Sequence, residues 1–145
     1  IEIGDVCVKE GELYQAFVAY KAAGAKEKLI ELGRLYIKRG RDDDALEAYK
    51  AAGAKEKLIE LGNQYVKIGY LNDARKAYKA AGEELPKEKL IEIGDVCVKE
   101  GELYQAFVAY KAAGAKEKLI ELGNKYVKIG YLNDARKAYE AAERL

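Results

Sequence analysis

The chain has 145 residues with 26 Lys+Arg against 25 Asp+Glu, so its formal net charge is +1 and it lacks the basic excess of a nucleic-acid binder. Half of it is hydrophobic, enough for a core, yet no apolar run nears the roughly 20 residues that cross a bilayer. His, Ser, Thr, Trp and Met are absent, which removes hydroxyl nucleophiles, imidazole bases and ligands, and the phosphate loop ending in Lys-Ser/Thr.

Residues 1–24, IEIGDVCVKEGELYQAFVAYKAAG, read as two short helices broken at Gly11 and Gly24. Residues 25–53 show the same plan in full. Leu29, Ile30, Leu32, Tyr36 and Ile37 recur at helical spacing, which predicts a helix over 26–38. Gly40 then stops it, because glycine accepts the left-handed conformation that ends helices. Asp42, Asp43 and Asp44 are expected to open a second helix by accepting hydrogen bonds from its free N–H groups. That helix carries Ala45, Leu46, Ala48, Tyr49 and Ala52 and stops at Gly53. Turns this short admit only antiparallel neighbours.

The plan continues over 54–82, pauses at Glu83-Glu84-Leu85, and resumes over 86–114 and 115–145. Residues 91–114 repeat 1–24 without change, and 115–143 agree with 54–82 at 26 of 29 positions. We therefore expect a single repeat domain over 1–145, built from a truncated unit 1–24 and units 25–53, 54–82, 86–114 and 115–145. All 14 glycines fall into three columns of this frame, so none is left for an irregular loop or a phosphate cradle. Small residues such as Gly33 and Ala45 should bring the two helices of a unit close, with Tyr36 and Tyr49 filling space between units. The columns headed by Tyr20 and Tyr36 should be core, and Tyr70 and Tyr131 partly exposed.

The pattern Leu32-Gly33-x-x-Tyr36 with Ala45-x-x-x-Tyr49 resembles the tetratricopeptide signature, with Tyr in place of Phe. Leu61-Gly62-x-x-Tyr65 with Ala74 and Tyr78, and Leu122-Gly123-x-x-Tyr126 with Ala135 and Tyr139, carry the same resemblance. It covers the whole chain. The fold it implies is all-α, an α-solenoid of stacked antiparallel helix pairs in a right-handed superhelix. The departure is length: four of the five units keep a 29-residue frame where the family has 34. The shortfall lies between Ala52 and Lys55, which predicts a shorter second helix. The ending Tyr49-Lys50-Ala51-Ala52-Gly53 also resembles short hairpins in vesicle-coat and ciliary-transport proteins.

Few residues suggest chemistry. Cys7 and Cys97 stand in the column of Tyr36 and read as core filler, three units apart and too far for a disulfide. No cofactor or metal site is expected, nor a catalytic one. The resemblance implies instead a peptide groove along the first helices. By register it would hold Lys9, Arg34, Lys38, Asn63, Lys67, Asp95, Lys99, Asn124 and Lys128, beside Asp5, Val8, Ile37, Val66, Val98 and Val127. The five lysines could draw a carboxylate or an acidic peptide, or could simply form a solvated face. The family's C-terminal carboxylate clamp is not supported, because Ile59 and Ile120 stand where its lysine belongs.

The first unit lacks a counterpart to Pro86-Lys87-Glu88-Lys89-Leu90, and no polar helix follows Leu145. Solenoids usually close their ends with polar caps. Open ends predict stacking on itself end to end, a homo-oligomer or stacked array, or flanking sequence beyond this chain. The absence of an initiator Met points the same way. Exact internal copying suggests an engineered array, with recent duplication as the rival and the cytoplasm as the place of a natural parent. The expected function is a non-enzymatic scaffold that stacks on itself; the alternative is a peptide-binding adaptor using the lysine-lined face. The partner is a protein, a peptide or a second copy, not nucleic acid or membrane.

Overall fold

The computed structural model describes residues 2–145. Among them ten helices follow in order: α1 (Glu2–Lys9), α2 (Leu13–Ala23), α3 (Lys26–Lys38), α4 (Asp42–Ala52), α5 (Lys55–Ile68), α6 (Leu71–Ala80), α7 (Lys87–Lys99), α8 (Leu103–Ala113), α9 (Lys116–Ile129) and α10 (Leu132–Glu143). No strand occurs among the described residues. The first helices from α3 onward have 13 or 14 residues. Their partners have only 10 to 12, as the shortened repeat requires.

The chain divides into two compact units. One comprises Ile1–Gly62 with Lys76–Glu83, the other Asn63–Arg75 with Glu84–Leu145. In the first, α1 packs on α2, α2 on α3 and α3 on α4, and α2 also touches α4. In the second, α7 packs on α8, α8 on α9 and α9 on α10, and α8 also touches α10. Each of these helices thus meets chiefly its neighbours in sequence. This is the helical repeat architecture of an α-solenoid.

Local chemistry explains the boundaries. Gly53 takes φ 64° after α4, where its N–H donates to the Lys50 carbonyl. The Ala54 N–H donates to the Tyr49 carbonyl at 3.0 Å, which closes the helix end. Gly40 does the same work in the turn inside the pair, at φ 72°. The helix starts depart from expectation. Asp42 is the first residue of α4, Arg41 holds the cap, and no side chain accepts a hydrogen bond there. The three aspartates act instead through their charge on the first turn, and Arg41 pairs with Asp44 at 2.8 Å. With no Ser or Thr in the chain, the described caps at Ala25, Glu102, Ala115 and Tyr131 are likewise without a side-chain bond.

The core is made of the expected columns. Leu29, Leu32, Tyr36, Ala45, Ala48 and Tyr49 are buried, and no polar or charged residue is buried among the described ones. The tyrosines pack differently from the expectation. The Tyr49 ring lies against Gly33 of its own pair, so closely that a methyl group there would collide with it. Tyr20 on Gly4, Tyr110 on Gly94 and Tyr139 on Gly123 repeat this contact. A ring that replaces a side chain on the facing helix lets the helices of a pair close up. Tyr70 and Tyr131 are exposed, as expected. Tyr139, expected in the core, is only half-buried.

Candidate functional site

The five lysines of the expected groove stand near the ends of first helices: Lys9 on α1, Lys38 on α3, Lys67 on α5, Lys99 on α7 and Lys128 on α9. All are exposed, and none takes part in an ion pair or hydrogen bond. Other first-helix lysines are engaged. Lys28 meets Asp5 and Glu31, Lys57 meets Glu60, and Lys118 meets Asp95 and Glu121. The compact unit that ends at Glu83 contains Lys9, Arg34 and Lys38, and the other contains Asn63, Lys67, Asp95, Lys99, Asn124 and Lys128.

The polar groove residues beside the lysines, Asp5, Arg34, Asn63, Asp95 and Asn124, stand in one column, and Asp5, Asp95 and Asn124 each bond to the tyrosine of their own pair. The Tyr110 hydroxyl donates to Asp95 at 2.6 Å, and Lys118 of the next helix approaches the same oxygen at 3.2 Å. The Tyr20 hydroxyl donates to Asp5 at 2.5 Å, with Lys28 at 3.5 Å. Tyr139 donates to Asn124 at 2.6 Å. Arg34 is exposed beside Tyr49, where its charge opposes the rise that burial gives that phenol. Asn63 is half-buried. Val66, expected to line the groove, is wholly buried.

Sequence reasoning missed these hydroxyl partners. The signal was a constant spacing of 15 residues between Asp5 and Tyr20, Asp95 and Tyr110, and Asn124 and Tyr139. The Tyr20–Asp5 bond perturbs both of its partners. Burial first, and then the Asp5 carboxylate, push the Tyr20 phenol well above its ordinary range, and Tyr110 behaves alike beside Asp95. The hydroxyl of Tyr20, aided by Lys28, holds the Asp5 carboxyl below its ordinary value.

The Asp5–Tyr20–Lys28 and Asp95–Tyr110–Lys118 groups each open on a shallow cavity of about 230 Å³. One is lined by Asp5, Val8, Tyr20, Lys28, Glu31 and Leu35, the other by Asp95, Val98, Tyr110, Lys118, Glu121 and Lys125. The change from Leu35 to Lys125 gives the second a cation that balances its two carboxylates. Among the described residues no group of three or more His, Cys, Asp and Glu is placed to hold a metal ion, and no helix is long and apolar enough to cross a membrane. Cys7 is half-buried and Cys97 buried; both are free thiols.

The geometry is that of an all-helical repeat protein. No protein-family model matches the chain, and no curated protein matches it. Among solved structures it is similar to a crystal structure of MamA at 24% identity, over 99% of this chain and 94% of that one, with a TM-score of 0.37. A second crystal structure of MamA protein is 25% identical over 97% of this chain and 86% of that one, also with a TM-score of 0.37.

Proposed function

We propose that the chain is a non-enzymatic, tetratricopeptide-like scaffold, a single array over 1–145 of engineered or duplicated repeats that stacks on itself through open ends. The observation that supports it is where apolar side chains are exposed. Ile3 on α1 is 73% exposed where Leu32, Leu61, Ile93 and Leu122 at its place are buried, and Leu132 on α10 is 65% exposed where Leu71 is half-buried. The residues with chemical potential are meanwhile taken up by packing: tyrosine hydroxyls by Asp5, Asp95 and Asn124, and the Cys97 thiol by the Gly69 carbonyl. Light scattering over a range of concentrations tests the reading. A rising mass is expected, and a constant monomer overturns it.

The second reading is a peptide-binding adaptor. Five unpaired lysines at equivalent places favour it, since a cation with no partner is available to a carboxylate. Titration with acidic peptides, against Lys38→Ala and Lys67→Ala, tests it. Binding in the micromolar range that weakens in both variants supports the adaptor; lysine-independent binding or none rejects it.

A further inference from the structure

We propose that copies of this chain join head to tail by rebuilding, between molecules, a junction that the chain already makes within itself. The inference rests on the stacking reading and adds which surfaces meet and in what direction. The α9–α10 turn of one copy seats on α1 of the next, as the α5–α6 turn seats on α7.

The internal junction is explicit. The Cys97 thiol on α7 donates to the Gly69 carbonyl at 3.5 Å. A side chain at Gly69 would come within 3.1 Å of Val96 and 3.4 Å of the Cys97 sulfur, so the turn's backbone rests directly on α7. On the turn's side, Val66 is 0% exposed. On the α7 side, Ile93 is 0% and Cys97 3% exposed.

Both halves of this junction recur, without a partner, at opposite ends of the chain. Residues 1–24 are identical to 91–114, yet Ile3 is 73% exposed where Ile93 is buried. Cys7 is half-buried where Cys97 is buried, and Val18 is exposed where Val108 is half-buried. Residues 126–139 are identical to 65–78, yet Val127 is 47% exposed where Val66 is buried. Leu132 is likewise exposed where Leu71 is half-buried. Gly130 holds φ 88° against 82° at Gly69, so the turn already has its docking conformation, and the space beside it is open.

Identical sequence in the same secondary structure has the same complementarity. A second copy is therefore the occupant whose fit the chain demonstrates. The two faces are different surfaces, so the contact is heterologous and propagates in one direction. It is weaker than the internal one. No covalent link holds the partners together, as the chain does between α6 and α7.

Sedimentation velocity on the 145-residue chain, from about 10 µM to about 1 mM, tests the proposal. The variants are Ile3→Lys and Val127→Lys, each charging one face. Circular dichroism checks folding, and Leu132→Lys replaces Val127→Lys if the latter melts early. The unaltered chain should form a concentration-dependent series of masses, and each variant alone should stay monomeric. Their equimolar mixture should reach twice the monomer mass and stop there, because each variant keeps the face the other lost. Labelling of Cys7 by a maleimide should slow several-fold as the unaltered chain is concentrated, and not in Val127→Lys. Variants that assemble like the unaltered chain overturn the junction and leave stacking intact. A mixture that stays monomeric also overturns the junction. An unaltered chain that is monomeric throughout overturns both.

Discussion

The Tyr49 ring occupies the space that a side chain at Gly33 would need, and this one contact sets how closely α3 and α4 approach. The glycine is helical and has no unusual backbone angle, so its role is room, not freedom of rotation. Gly33→Ala should therefore destabilise the fold by about 1–3 kcal/mol through overpacking, despite alanine's better helix propensity. Urea denaturation should show a lower midpoint with an unchanged slope. An unchanged midpoint would mean that the ring can move aside.

Burial separates the tyrosines into two classes with different energetic weight. Tyr36 is 2% exposed and lies 5.0 Å from the Arg41 guanidinium. Tyr36→Ala should cost about 3–5 kcal/mol, the range for emptying an aromatic site in a core. Tyr70 is 55% exposed. Tyr70→Ala should change stability by no more than about 0.5 kcal/mol. Thermal melts of the two variants side by side decide the point.

The Tyr20–Asp5 bond makes an acid-side prediction. The folded Asp5 carboxyl lies below its ordinary value of 3.8, so its contribution is complete above that value and is lost as pH falls through the folded value. Tyr20→Phe removes the largest cause of the depression. The Asp5 carboxyl resonance should then titrate at higher pH in NMR, while the backbone signals of α1 and α2 persist.

The alkaline side has the opposite sign. Tyr20 and Tyr110 are raised above their ordinary value of 10.0, chiefly by burial. Their contribution is complete below about pH 10 and is lost as pH climbs beyond it. The melting temperature should fall above pH 10, and Tyr110→Phe should flatten that fall. Tyrosinate absorbance recorded with circular dichroism provides the check.

The thiols should react in a fixed order. Burial pushes the Cys97 thiol up and hides it, whereas Cys7 is half-buried. In dilute native protein Ellman's reagent should modify Cys7 first, and Cys97 only with unfolding. Equal rates would show that the Gly69 turn does not cover α7 in solution.

Much of the architecture was legible in the residues alone. Gly40 and Gly53 marked helix ends because a left-handed turn has few other occupants. Leu29, Leu32 and Tyr36 marked a buried face because their spacing matches one side of a helix. The hydroxyl partners were not legible. Asp5 and Tyr20 stand on different helices, and which polar groups meet depends on how those helices are turned toward each other. The missing caps at α4 were hidden for a related reason: Asp42 can precede a helix or begin it, and a one-residue difference in entry angle decides which.

Local sequence determined the helices, their ends and the apolar face that each turns inward, because those follow from backbone preference and apolar spacing within a few residues. Exposure was decided by tertiary structure. Ile3 and Ile93 share every neighbour from Ile1 to Gly24 and its copy, and one faces solvent while the other is sealed. Burial is conferred by whatever lies across the interface, and no stretch of chain specifies that for itself.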